Sequence, residues 1–185
     1  IPDEIIFSED AERLKKAAKE MVLFSKDFGV PQNRPRIYIV LWRKDLDIKF
    51  EYPTPSGVPT RVGDILEKKV LSKYTISDKL WAGHQRRKLK NKKAGKGFGF
   101  GLVNSETTHT NTISARYYKD GSECLIDQGK DKNPRKITPR EAARLQGFPE
   151  DFSINQSDNQ AYKQFGNSVS VPVVSAVALT ISKHI

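Results

Sequence analysis

Apolar and polar positions change their period several times along the chain, and each change predicts an element. Residues 9–24, EDAERLKKAAKEMVLF, place Leu14, Ala17, Ala18, Met21 and Val22 on one side of a 3.6-residue repeat, the spacing of an amphipathic helix. Ser8 suits its N-cap, and Glu9 and Asp10 complement the positive end of the helix dipole. Gly29, Pro31 and Pro35 then break the pattern. Arg36–Trp42, RIYIVLW, is a continuous β-branched and aromatic run and predicts a buried strand. The Pro-rich EYPTPSGVPT reads as a surface boundary, with a short helix near residues 61–69 after it. Residues 74–97 predict a second helix, capped by Ser77 or Asp78 and running into glycines. From Gly95 to Ile126 the pattern shortens to strand-like pieces, FGFGLV, TNTISARYY and ECLI, which predict a small, mostly β unit. Residues 138–151 carry complete helix punctuation: a capping box of Thr138 and Glu141, Pro139 in the first position, Gly147 and Pro149 at the end. The closing stretch from Val169 is apolar nearly all round, with Ser170 placed to cap it and Pro172 in its first turn. A helix of that kind is apolar on more sides than a small protein can easily cover by itself.

Composition narrows the class of partner. With 32 Lys and Arg against 22 Asp and Glu, the formal charge of +10 and a pI near 9.6 point to a polyanion, nucleic acid foremost. At 185 residues and 37% hydrophobic content the chain can bury a sizeable core, as one compact domain or two small ones. Its single cysteine, Cys124, excludes an internal disulfide framework and a cysteine-based zinc site, and favours a reducing, cytoplasmic setting. The acidic first residues do not fit a secretory signal, and Ser175, Thr180 and Ser182 interrupt the longest apolar run, so no membrane association is expected.

Three constellations could carry chemistry. In GVPQNRPR, Gln32, Arg34 and Arg36 alternate; on an extended strand they share a face and offer planar donors to phosphate oxygens or a base edge. A pair of surface arginines ahead of an edge strand is the equal alternative. In HQRRKLKNKKAGKGFGFG, Arg86, Arg87, Lys88, Lys90, Lys92, Lys93 and Lys96 lead into Gly97, Phe98, Gly99, Phe100 and Gly101. A charge run is most often a solvated helix face, but here it abuts a loop whose backbone can approach a ligand closely. Lysines would then position the backbone of a nucleic acid and the loop would specify bases. The third is the helix of residues 138–151, where Arg140 and Arg144 share a face and could brace a loop or touch DNA. His84, His109 and His184 have no metal-ligand spacing, so no metal site is expected. Cys124, in an apolar run without an adjacent base, reads as a buried structural thiol.

Three segments together resemble a known family. DFGVPQNRPRIYIV (27–40), RKITPREAARLQGFPEDF (135–152) and YKQFGNSVSVPVV (162–174) are similar, in this order, to the last three conserved blocks of the DNA cytosine-5 methyltransferases of bacterial restriction-modification systems. The resemblance implies an α+β chain: a small, mostly β target recognition domain over residues 50–132, flanked by residues 1–49 and 133–185. The flanks would supply a strand and helices that complete an α/β S-adenosylmethionine-dependent domain. It further implies that Arg36 contacts a flipped cytosine, with Arg34 and Gln32 on the nearby phosphate. The loops Gly95–Val103 and Thr110–Gly121, the latter with Arg116 and Tyr117, would read double-stranded DNA. Asn167 and Ser168 would face S-adenosylmethionine. The family's glycine-rich cofactor block, its Pro-Cys nucleophile block and its Glu-Asn-Val block have no counterpart here. The expectation is therefore a subunit or fragment, inactive alone and partnered by an N-terminal catalytic half, in the bacterial cytoplasm at the nucleoid. A non-catalytic DNA-binding module derived from such an enzyme, or a general basic RNA-binding protein, are the alternatives.

Overall fold

The computed structural model describes residues 21–46 and 48–184. The helix predicted over residues 9–24 lies outside them except at its end, where Val22–Phe24 forms strand β1. β2 is Gln32–Asn33 and β3 is Pro35–Ile37. β1 pairs antiparallel with β3, Leu23 opposite Arg36. β2 pairs parallel with β5, Thr110–Asn111. A three-stranded sheet runs β4 (Leu102–Val103), β6 (Leu125–Ile126) and β7 (Arg135–Lys136), with β6 central, parallel to β4 and antiparallel to β7.

Five α-helices accompany these strands: α1 (Asp78–Lys93), α2 (Tyr117–Asp120), α3 (Pro139–Leu145), α4 (Asp158–Asn167) and α5 (Val171–Ile181). Their ends follow local chemistry. Ser77 Oγ accepts the Leu80 N–H at the start of α1, while Lys90, Lys92 and Lys93 complement the negative end of its dipole. The capping box of α3 forms as the sequence predicts: Thr138 Oγ1 accepts the Glu141 N–H, and the Glu141 carboxylate accepts the Thr138 N–H. Gly147 then takes the left-handed conformation, φ +77°, that ends the helix region.

Most of the apolar interior is one cluster that runs from Val62 and Ile65 through Val103, Ile113 and Tyr117 to Ile137, Leu145, Tyr162 and Phe165. Residues 62–126 and 135–165 therefore share a core, and no break in packing falls at residue 132. A second, smaller cluster gathers Leu23, Phe28, Val173 and Val177, with Tyr38, Val40, Phe50 and Tyr52 against it.

Four expectations need correction. Only Arg36 and Ile37 of the Arg36–Trp42 run are strand, and the run is not buried: Ile39 is 68% and Leu41 87% exposed. β3 has one strand neighbour among the described residues, so an apolar run with two apolar faces has nothing to pack against on the outer side. The Gly95–Ile126 unit is mostly loop, since its strands are two residues each and Tyr117–Asp120 is helical. The helix near 61–69 contracts to a 3₁₀ turn at Val62–Ile65. Finally, Asp158–His184 is long and apolar enough, by length and composition, to cross a membrane. It is nevertheless two α-helices, broken by the extended Ser168 and Ser170, and Val173 and Val177 pack on Leu23 and Phe28.

Candidate functional site

Gln32 and Arg34 lie at the centre of the molecule. Gln32 is fully buried, and its Nε2 donates to the Leu145 carbonyl (3.0 Å) and to Gln146 Oε1 (3.2 Å), while its Oε1 accepts the Ile113 N–H (3.0 Å). Gln146, itself fully buried, passes the chain on by donating to the Phe165 carbonyl at 2.8 Å. Arg34 is 4% exposed, and its guanidinium donates to the carbonyls of Ile113 (3.0 Å), Gly166 (3.0 Å) and Ser168 (2.7 Å). Gly166 belongs to the last turn of α4, whose carbonyls have no partner within the helix and carry the negative end of its dipole. Arg34 thus acts as a side-chain cap on that helix end. Burial, and next the charge of Arg36, lower its pKa to about 10, so it remains a cation at neutral pH.

The phosphate-facing role expected of Gln32 and Arg34 gives way to this one, because their contacts are to protein and neither reaches solvent. Alternation along the strand does not keep the three residues on one face, since the chain passes from β2 to β3 at Arg34. Arg36 alone is exposed, and its Nη1 donates to the Pro35 carbonyl at 2.6 Å. Arg34 consequently ties the strand that carries Arg36 to the turn that carries Asn167 and Ser168. Gly166 makes that turn possible. A Cβ there would overlap the Ser114 carbonyl, and backbone cannot yield as a side-chain end would.

Asn167 is exposed and Ser168 half-buried. Ser168 Oγ donates to the Phe165 carbonyl at 2.8 Å, which leaves its lone pairs to accept. Ser170 occupies the N-cap of α5 without capping it. Its hydroxyl is buried and has no hydrogen-bond partner among the described residues. The accessible amide of Asn167 and hydroxyl of Ser168 offer donors and acceptors that fit a polar small molecule with hydroxyl and amino groups, as S-adenosylmethionine is.

The basic helix divides its charges. Arg87 is exposed yet fully engaged: Nη1 meets Asp120 Oδ2 at 3.0 Å, Nη2 meets His84 Nδ1 at 2.9 Å, and Nε and Nη2 both donate to the Gly99 carbonyl at 3.2 and 3.1 Å. Burial lowers the pKa of His84, and the neutral ring accepts at Nδ1 and donates from Nε2 to the Asp120 carbonyl. The ammonium of Lys88 sits 4.4 Å above the Phe100 ring, which stacks edge-on against Trp81. Gly99 is buried under the Lys88 stem. Arg87, Lys88 and Phe100 thus hold the loop; Arg87 and Lys88 stay exposed, Phe100 is half-buried, and of the four only Gly99 is buried away from the DNA-facing role expected of it. Arg86, Lys90, Lys92, Lys93, Lys96, Gly97 and Phe98 remain exposed, as does Arg116. Tyr117, expected at DNA, is fully buried; its hydroxyl donates to the Cys124 carbonyl and accepts the Ile137 N–H.

Cys124 is fully buried and its thiol is pushed up to about 12, the state of an inert core residue. Arg140 and Arg144 brace loops: Arg140 donates to the Phe152 carbonyl, and Arg144 to Glu150 and the Ile65 carbonyl. Sequence reasoning missed Gln146 and the buried ion pair of Arg135 and Glu141, which meet through two bonds of 2.7 and 2.8 Å.

The fold and this arrangement define a class. The family described as C-5 cytosine-specific DNA methylase matches residues 17–183, and the chain belongs to it. Among relatives, the chain is 62% identical over 176 residues to the Type II methyltransferase M.SsoII of Shigella sonnei, covering 94% of this chain and 46% of that protein. It is 65% identical over 157 residues to the Type II methyltransferase M.NlaX of Neisseria lactamica, covering 85% of this chain and 50% of that one. The chain thus spans about half the length of the curated relatives it matches. Among solved structures, the Entamoeba histolytica methyltransferase EhMeth superposes with a TM-score of 0.70 at 21% identity, over 95% of this chain and 57% of that one, a likeness of fold.

Proposed function

We infer that this chain is the DNA-recognising, C-terminal part of a DNA cytosine-5 methyltransferase and that the nucleophilic cysteine is supplied by the rest of the enzyme. The observation that carries the reading is the convergence at Arg34. One guanidinium holds together the strand bearing exposed Arg36, the Ile113 segment of the recognition region, and the turn bearing Asn167 and Ser168. A base pocket, a DNA-reading region and a cofactor rim must keep a fixed mutual geometry if a methyl group is to reach a base taken out of the stack.

In this reading Arg36 donates to the flipped cytosine and stabilises the charge that a thiolate adds to the ring. S-adenosylmethionine supplies the methyl group. Asn167 and Ser168 form one wall of its pocket, and the remaining walls lie in the N-terminal half. Residues 50–132, α1 among them, form the target recognition region, whose exposed lysines and arginines track phosphates of double-stranded DNA. Apolar residues that the chain leaves open, Ile39, Leu41 and Leu179, are covered by the catalytic half.

The test is reconstitution. The chain alone is expected to transfer no methyl group from S-adenosylmethionine to DNA, and to do so at a defined site once joined to or mixed with the N-terminal half. Arg36→Ala is expected to lower turnover in the complete enzyme more than it alters site preference. A complete enzyme with Arg36→Ala that turns over normally but accepts a relaxed site would refute the assignment.

A further inference from the structure

The loop from Gly97 to Gly101 is fastened to α1 through three consecutive backbone carbonyls. Asn91 Nδ2 donates to the carbonyls of Gly97 (3.2 Å) and Phe98 (2.7 Å), and Arg87 donates twice to that of Gly99. Arg87 is itself held by Asp120 and His84, so the anchor does not depend on a ligand. Farther along, the Gly101 N–H donates to the Ser122 carbonyl and its own carbonyl accepts the Leu125 N–H. With its carbonyls drawn to the helix and Phe100 packed on Trp81, the loop turns one side chain outward. Phe98 is 52% exposed. It is also the one non-glycine residue at positive φ (+25°) among the described residues, between two glycines that could hold such a conformation without cost. An exposed aromatic ring in a strained conformation that the surroundings enforce is a feature that folding stability does not favour.

We propose that Arg87 and Asn91 are positioning residues that fix the Gly97–Gly101 loop so that Phe98 contacts an apolar base surface, a thymine methyl or the face of an unstacked base, and thereby sets specificity at one position of the target site. The proposal rests on the reading of the chain as the DNA-recognising part of a cytosine methyltransferase. It assigns Arg87 a role opposite to that of its neighbours in the basic run. Exposed Arg86, Lys90 and Lys93 add sequence-independent attraction, whereas Arg87 contributes through loop geometry. Three donors in one planar group explain why an arginine is needed: a lysine could not serve Gly99, Asp120 and His84 together.

The experiment uses the complete enzyme that carries this chain. Its target is first read from the methylation pattern of the unaltered enzyme; failure to methylate any DNA would sink the underlying reading before a variant is compared. Phe98→Ala, Phe98→Leu, Asn91→Ala and Arg87→Lys are then given a pool of duplexes with the site and all its single-base changes. The expected result is a loss of discrimination of about tenfold at one and the same position in Phe98→Ala, Asn91→Ala and Arg87→Lys. Phe98→Leu should retain part of it. The salt dependence of binding should be unaltered in Arg87→Lys and Asn91→Ala. Undiminished discrimination in Phe98→Ala, or loss at unrelated positions in Asn91→Ala, overturns the proposal. So does a uniform loss of affinity in Asn91→Ala with discrimination unchanged at every position, which marks a lost polar contact to the DNA backbone rather than a displaced loop. Should Arg87→Lys fail to fold, Asn91→Ala, which touches only two carbonyls at the loop surface, decides alone.

Discussion

Replacing Arg34 by alanine separates two physical roles that the same residue could play. As a phosphate contact it would contribute nothing to folding. As the clamp seen here it holds three carbonyls at 2.7 to 3.0 Å in a site with 4% exposure. Leaving a buried acceptor without a donor costs about 1–3 kcal/mol per group. Against this stands the relief of a buried cation. Its pKa, depressed to about 10, corresponds to about 3 kcal/mol of resistance to charging. Water entering the vacated space recovers part of the lost bonding, and the net expectation for Arg34→Ala is a loss of about 2–4 kcal/mol. With a urea dependence of about 2 kcal/mol per molar, the unfolding midpoint should fall by about 1–2 M. Trp42 and Trp81 provide the fluorescence signal, and Arg34→Lys should fall between the two. DNA binding measured from low to moderate salt should keep its slope. A variant with an unchanged midpoint and a slope reduced by about 0.9 would refute the clamp and restore the phosphate contact.

Other substitutions test the frame around it. Glu141→Ala strips Arg135 of its buried partner and leaves the Thr138 and Glu67 N–H groups without their acceptor; a destabilisation of at least about 3 kcal/mol is expected in urea unfolding, and a cost near zero would contradict the buried pair. Gly166→Ala forces a methyl group into the Ser114–Ala115 backbone, so a marked drop in thermal midpoint should follow, and a neutral result would deny that approach. His84 has a folded pKa below its unfolded value of about 6.5. Its contribution is complete above that value and declines as pH falls towards the folded pKa, because the unfolded chain binds the proton more readily. The loss of stability between pH 7.5 and 5 should accordingly shrink in His84→Gln, and an identical pH dependence would remove His84 from the linkage. Cys124 should resist iodoacetamide at pH 8 in the folded protein and react on unfolding.

Elements with local causes were legible in the sequence. The α3 capping box, the Ser77 cap and the Gly147 stop each depend on residues within a few positions of one another, and all three appear. What failed depended on distance. Whether Arg36–Trp42 is buried is decided by what lies across the sheet, not by its own composition. Gln32-x-Arg-x-Arg gives no sign that two of its members turn inward, because their partners, Ile113, Leu145, Gly166 and Ser168, are 79 to 134 residues away. In the basic run the charges are equivalent as letters. Only the fold distinguishes Arg87, which has a glycine carbonyl, a carboxylate and an imidazole in reach, from its neighbour Arg86.

The joint built by Gln32 and Arg34 engages its partners almost entirely through main-chain atoms: the N–H and carbonyl of Ile113 and the carbonyls of Leu145, Gly166 and Ser168. Main-chain atoms are present whatever the side chain. The joint is thus indifferent to the letters of the segment it grips and sensitive only to the path that segment follows. Exchanging exposed residues between Val62 and Ile126, with the buried ones and the path at Ile113 kept, would leave the socket intact. New surface chemistry can be mounted on this frame without redesigning its hinge.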